Sequence, residues 1–457
     1  VKITRKSTQR KTRTLPELRF DDQQLTSFGG LVVLQLLFDK LQLRDRLRQC
    51  FRHLQLSTSY DYAVLMLGLI VHLFLGYRTL QDIRFYRDDP MVLRLLGLRR
   101  LPDVSTLSRM LKNVDLHLIT RLRELLRSLV LQRLVWLQPP RLTLDFDGSV
   151  QTTGRKAEGS AIGFNKKKKG QRSYYPLFCT ISQTGQVFDF LHRSGNVHDS
   201  NGAREFVLEC IGSVRALLPG VLIEIRMDSA FFSDEIVRAL DEHGVEFTIS
   251  VPFARFVELK QKVEERRRWR RCGRDQSYFE LRWKPKSWPK RFRFLVLRKR
   301  FKRAPKGPVQ LDLFEPYVED HQIQVVVTNK TLKARSVSAF HNGRGAQEGI
   351  FAELKSQGQM DYVPVKTRAG NQAYLLAAIF AHNLNRELQM QISPPQRRTT
   401  AKRAPLWVFE QLDTLRRQIF QRAGRLIRPQ GILTLVLGTN EAVEAKIRGY
   451  LEGLQAT

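Results

Sequence analysis

Cysteine is scarce in this chain. The four that occur, Cys50, Cys179, Cys210 and Cys272, stand apart with no C-x-x-C pair. That excludes a cysteine-based zinc site and a disulfide framework, and it fits a reducing compartment. Long apolar runs are missing too. The longest, residues 63–75, is interrupted by His72 and falls short of the roughly 20 residues that span a bilayer. It reads as a buried helix, so no membrane partner is expected. No secretory signal and no internal repeat are visible, which points to a cytoplasmic protein. Acid is also in short supply: 44 Asp and Glu face 77 Lys and Arg, a formal net charge of +33. An excess of that size, spread along the chain, calls for a polyanion, and nucleic acid comes before a membrane surface. Hydrophobic residues reach 42% of the 457, enough to build cores, and the length suggests about two to four domains.

Residues 1–23 begin as a basic arm, with Lys2, Arg5, Lys6, Arg10, Lys11 and Arg13 and no acid before residue 15, able to lie along phosphates. Residues 24–140 read as helical, Leu-rich with Arg on the open faces. Within them, 102–111 resembles a helix start capped by Asp103 or Ser105, from which Ser105 and Arg109 project. A helix-turn-helix reader would set such a helix in the major groove; a bundle that only packs is the alternative. After Pro139-Pro140 the period changes to two. Leu142, Leu144 and Phe146 face one way, and Thr143, Asp145 and Asp147 the other. A hairpin around Gln183-Thr184-Gly185, a helix over 200–218, a strand over 221–227 that delivers Asp228, a helix from Ser233 and a strand over 245–251 follow. This order predicts a mixed sheet with flanking helices and acids at the C-terminal ends of two strands, where α/β sheets carry their sites.

Residues 252–335 read as a β-rich insertion, very basic and interleaved with aromatics including Trp283 and Trp288. Such a mixture can hold phosphates and stack an unpaired base, although aromatics also fill small β cores. Read as one helix, 341–355 puts His341, Arg344, Glu348 and Lys355 on one stripe and Ile350, Phe351 and Leu354 on the other side. A solvated face with intrahelical ion pairs is the plain alternative. Lys366 and Arg368 lie in the loop after it; a long helix over 371–390, a basic linker over 394–405 and a mostly helical region to the end close the chain. Three acids on three elements, Asp147 (or Asp145), Asp228 and Glu348, without a His/Cys cluster, suit two hard ions such as Mg²⁺ or Mn²⁺. Two such ions about 3.5–4 Å apart support in-line phosphoryl transfer, with Arg344 and Lys355 placed to grip phosphate.

The spacing of His341, Arg344, Glu348 and Lys355 resembles the Tyr, Arg, Glu, Lys signature of a large group of bacterial insertion-sequence transposases of the DDE type. Asp147-Gly148-Ser149 and Arg226-Met227-Asp228-Ser229 resemble the segments of the first and second acids, over about residues 140–390. His341 stands where the signature has Tyr. The resemblance implies an RNase H-like five-stranded catalytic core at 141–251 and 336–392, split by the insertion 252–335. An all-α DNA-binding or dimerisation domain at 24–140 and a C-terminal region at 393–457 would flank it. It implies Asp147, Asp228 and Glu348 as catalytic and metal-binding acids, and His341, Arg344 and Lys355 as DNA contacts. The expected activity is cut-and-paste transposition by a homodimer on double-stranded DNA, close to the bacterial nucleoid. A nuclease without strand transfer, a domesticated DNA-binding protein and a basic RNA-binding protein are the competing readings. The last two predict a lost acid and a coincidental spacing, respectively.

Overall fold

The computed structural model describes residues 15–54, 59–163, 165, 168–198, 201–300, 317–318 and 321–456. The basic arm through Arg13, and Lys166 and Lys167, lie outside the described residues. Six helices open the fold: α1 (Leu31–Lys40), α2 (Leu43–Phe51), α3 (Tyr62–Phe74), α4 (Pro90–Leu96), α5 (Val104–Lys112) and α6 (Leu116–Leu137). The apolar run of the sequence is α3, capped by the Asp61 carboxylate on the Ala63 amide and buried on nearly all sides. Asp103 is the N-cap residue of α5 but makes no side-chain cap bond there.

The sheet begins with β1 (Arg141–Gly148), the hairpin β2 (Leu177–Ile181) and β3 (Gln186–Leu191), then β4 (Leu222–Met227) and β5 (Glu246–Ser250). Helices α7 (Ala203–Leu217), α8 (Asp234–Glu242) and α9 (Val257–Glu264) are interspersed. β5, β4, β1, β2 and β3 are neighbours in that order, with β1, β4 and β5 parallel. The sheet does not stop at these five strands. β6 (Gln276–Trp283), β7 (Phe292–Arg300) and β8 (His321–Thr328) continue it beyond β5, and the whole sheet counts ten strands among the described residues. Val326, Val327 and Thr328 pair with Ser250, Ile249 and Thr248. The β-rich stretch expected as an insertion therefore covers the open edge of β5, whose amides and carbonyls would otherwise lack partners.

Period-two alternation gives the sheet two unlike faces. Leu142, Leu144, Phe146, Ile223, Ile225, Phe247 and Ile249 form one core together with apolar residues of α7 and α8. The opposite face carries Thr143, Asp145, Glu224, Arg226 and Thr248, all at 1% exposure or less. That polar face is covered by α10 (Ala334–Asn342), the start of α11 (Gly345–Ser356) and residues 402–403 of the segment expected as a linker. The stretch 341–355 is thus two helices and not one. Gly343 and Arg344 keep helical angles, with φ of −61° and −56°, but the ladder is interrupted where Gly343 presses on its neighbours. A Cβ there would lie 2.0 Å from the Lys402 carbonyl oxygen and 2.2 Å from Arg226 Nη1.

α12 (Arg368–Ile392) is buried along almost its whole length, and α13 (Glu441–Ala456) closes the chain. Both join α1 and α3 in one core that runs from Phe28 to Leu454. The region expected to be mostly helical is less so: between residues 406 and 426 only Leu412–Leu415 and a wide turn at Arg416–Phe420 are helical. The Arg416 guanidinium is drawn inward to the carbonyls of Leu73 and Phe74 at the end of α3, where a cation satisfies the orphan acceptors of a helix C-terminus. A strand forms at Thr434–Leu437, paired with Gly424–Ile427, which in turn pairs with Leu25–Thr26.

Candidate functional site

The parallel pairing of β1 and β4 runs to Phe146 opposite Met227. The next residues are Asp147 and Asp228, so two carboxylates emerge side by side at adjacent strand ends. Asp228 accepts from the Ala230 amide at 3.0 Å and caps the turn Ser229–Phe231. Asp147 accepts from the Gly148 amide at 2.8 Å and from Arg344 Nη1 at 2.9 Å. Both acids are partly exposed.

α11 is docked on the same strand end. Buried Gln347 donates through Nε2 to the Asp145 carbonyl at 3.0 Å. Glu348 is the next residue, exposed in the first turn of α11, one turn along from Arg344. Among the described residues, no group of three His, Cys, Asp or Glu side chains stands close enough to hold a metal ion. The donor set nevertheless fits a hard divalent cation in kind: oxygen ligands only, two of them fixed at neighbouring strand ends. Arg344 now neutralises Asp147, so a shared ion requires that guanidinium to swing aside.

The second aspartate of β1 is not available. Asp145 is 1% exposed and receives Arg226 Nε at 2.5 Å and Nη2 at 2.6 Å, which leaves Asp147 as the acid at the surface. Nearby, Glu224 is fully enclosed by Arg141, Lys330 and Arg403. Burial alone would raise its carboxyl, but Arg403 and Lys330 hold it down at about 2.

Three expected DNA contacts are placed elsewhere. His341 is buried, with its ring nitrogens 3.0 Å from Thr248 Oγ1 and 2.8 Å from Ser250 Oγ. Burial, with Arg344 and Arg226 close by, lowers its pKa to about 3. It is a neutral ring that fixes α10 to β5 and carries no charge for a phosphate. Trp288 stacks on Phe232 at 4.9 Å, and Trp283 packs edge-on against Phe294 at 5.1 Å. Both are core residues, because the sheet extension needs bulk beneath it, and neither face is open to a base.

The other expected contacts remain at the surface to different degrees. Lys366 is exposed, and Lys355 is half-buried two turns beyond Glu348. Arg368 is half-buried and donates to the His192 carbonyl at 2.6 Å. Ser105 and Arg109 are both exposed, one turn apart on α5. Of the tryptophans in the extension, Trp269 is half-buried, with Arg298 over its ring at 4.4 Å.

The residues missed from sequence were Gln347, Gly343 and Arg226. Arg226 carried a usable signal, since it lies two residues before Asp228 as Asp145 lies two before Asp147.

The model of the family described as transposase DDE domain group 1 matches residues 9–457. No curated protein matches the chain. Among solved structures, it is similar to a piggyBac transposase synaptic complex with hairpin DNA, at 12% identity over 86% of this chain and 79% of that one, with a TM-score of 0.40. It is also similar to a Mos1 mariner paired end complex with Mn, at 10% identity over 42% of this chain and 60% of that one, with a TM-score of 0.18.

Proposed function

The chain belongs to the transposase DDE domain group 1 family, and from that premise we propose that it excises and inserts DNA by metal-dependent phosphoryl transfer at the ends of β1 and β4. The observation that carries this reading is the pair of carboxylates, Asp147 and Asp228, one step beyond the last paired residues of two parallel strands, with α11 stapled to the same end by Gln347. β3-β2-β1-β4-β5 then reads as an RNase H-like core, with 24–140 and 393–457 flanking it and 252–335 inserted.

Asp147, Asp228 and Glu348 would hold Mg²⁺ or Mn²⁺, in two ions. When bound, such ions activate the attacking oxygen and steady the leaving one in an in-line displacement. The rest falls to the chain's own residues. Arg344, released from Asp147, offers a guanidinium fork that matches a phosphate. Lys355, Lys366 and Arg368 add positive charge along the path of the strand, and Ser105 and Arg109 of α5 would contact end DNA. Water would cut at the element end, and the freed 3′-hydroxyl would join to target DNA, with two copies of the chain holding the two ends together. No described helix is long and apolar enough to cross a membrane, and the net charge of +33 favours residence on DNA in the nucleoid.

The decisive experiment is Glu348→Gln, assayed for end-DNA binding and for cleavage in Mg²⁺. Cleavage should collapse while affinity persists, because one ligand is lost and the DNA surface is intact. Cleavage at the wild-type rate would remove Glu348 from the site.

A further inference from the structure

Arg226 has no exposed surface at all, and every one of its five N–H donors has a partner. Nε and Nη2 take the two carboxylate oxygens of Asp145 at 2.5 and 2.6 Å. Nη2 also donates to Ser182 Oγ at 2.9 Å. Nη1 donates to the Phe340 carbonyl at 3.0 Å and to the Lys402 carbonyl at 2.7 Å. One side chain thus ties together four segments: β1, the turn after β2, the end of α10, and the segment around residue 402.

The position of these segments matters more than their number. Asp145 and Arg226 share the strand faces of Asp147 and Asp228, one pleat lower in each case. Phe340 lies in the last turn of the helix whose continuation, past Gly343, presents Glu348. Gly343 itself is held against Arg226 Nη1 and the Lys402 carbonyl so closely that a Cβ would fall 2.2 and 2.0 Å from them. A buried ion pair is a poor device for stability alone, since desolvating both charges offsets most of their attraction and apolar isosteres often serve as well. Its gain is directional, with five bonds of fixed geometry at one point.

We propose that Arg226 is a positioning residue that sets the strand ends bearing Asp147 and Asp228 against the helix bearing Glu348, with Asp145 as its counter-ion and the Lys402 carbonyl as its fourth anchor. The inference rests on the reading of those three acids as the metal-holding set. It makes the segment around residue 402, otherwise a basic linker, part of the catalytic core.

The test is the paired substitution Arg226→Met with Asp145→Leu in the full chain, which removes both charges and strands neither. Thermal unfolding reports the fold. Calorimetric titration with Mn²⁺ reports the site without any reaction, and cleavage of end DNA across a Mg²⁺ series reports its use. The expected result is a near-native melting temperature, DNA affinity retained, Mn²⁺ affinity down by about 10–100-fold, and half-maximal cleavage at correspondingly higher Mg²⁺. Wild-type Mn²⁺ affinity and Mg²⁺ dependence in a folded double variant overturn the proposal. If the double variant does not fold, Gly343→Ala decides. It pushes the α10–α11 junction away from Arg226 and Lys402, and it must weaken Mn²⁺ binding in the same way; unchanged binding refutes the idea. Glu348→Gln run alongside separates the two readings. If it cuts normally, the acid assignment is wrong. If it is dead while the double variant behaves as wild type, only the role of Arg226 fails.

Discussion

Acid should unfold this protein well before its carboxylates titrate. His72, His192, His341 and His382 are buried, and burial lowers their pKa values to about 4, 3, 3 and 4. In the unfolded chain each returns to about 6.5. A histidine whose folded pKa is depressed stays neutral in the native state while the unfolded state takes up a proton. The stabilisation is therefore complete above pH 6.5 and drains away as the pH falls through the window down to about 4 for His72 and His382 and about 3 for His192 and His341. At pH 5.5 each ring costs about 1.4 kcal/mol relative to pH 8, and four together about 5–6 kcal/mol. The figure depends little on the folded values, provided they lie below 5. It approaches the whole stability of an ordinary domain, about 5–15 kcal/mol.

Urea denaturation at pH 8.0, 6.5 and 5.5 measures it directly. The midpoint should fall steeply across this range, and the slope of free energy against pH near 5.5 should correspond to an uptake of about three to four protons. His341→Gln should reduce that uptake by about one. An unfolding midpoint equal at pH 8.0 and 5.5, or an uptake below one proton, would mean that these rings are charged or exposed in the native state, and the account of His341 as a neutral clamp would fall with it.

Three further outcomes follow from the placement of single residues. Trp283→Ala and Trp288→Ala should each cost about 3–5 kcal/mol of stability, seen as a lower melting temperature; lost DNA binding at an unchanged melting temperature would restore them as base contacts. Arg109→Ala should leave stability within about 0.5 kcal/mol, weaken DNA binding and make its salt dependence shallower by about one unit of slope; an unchanged slope would remove α5 from the interface. Glu224→Gln should lower stability above pH 5, since the depressed Glu224 carboxyl contributes there and its share is lost as pH falls toward 2; equal chemical stability at pH 7 would show that Arg403 and Lys330 do not hold it.

The elements and the acids at their ends were legible in the sequence, because they follow from local period. Alternation over 141–148 gave both the strand and the phase of Asp147, and the strand over 221–227 delivered Asp228 at its end. What could not be read was which polar faces meet solvent. His341 shares a stripe with Arg344 and Glu348, yet the stripe is split by the Gly343 junction, and its first residue lands on a sheet face that is polar and covered. Trp283 and Trp288 went astray for the converse reason: basic neighbours suggested a surface, while the partners that bury them, Phe232 and Phe294, lie on other elements. The Arg226–Asp145 pair spans 81 positions, and only the pairing of β1 with β4 brings it together.

The mingled core of the first and last helices has a consequence for how the chain comes into being. Lys40 donates to the Leu454 carbonyl across 414 residues, and the Gly29 amide bonds to the Arg422 carbonyl. At a ribosome's pace of about 5–20 residues per second, the opening helices wait about 20–80 s for their last packing partner. During that interval the apolar surface of α3 is packed only on its near neighbours α2, α4 and α5, and the side that α12 covers has no native partner until residues 368–392 are made, so newly made protein should need a holding chaperone and should favour meeting its DNA only after release.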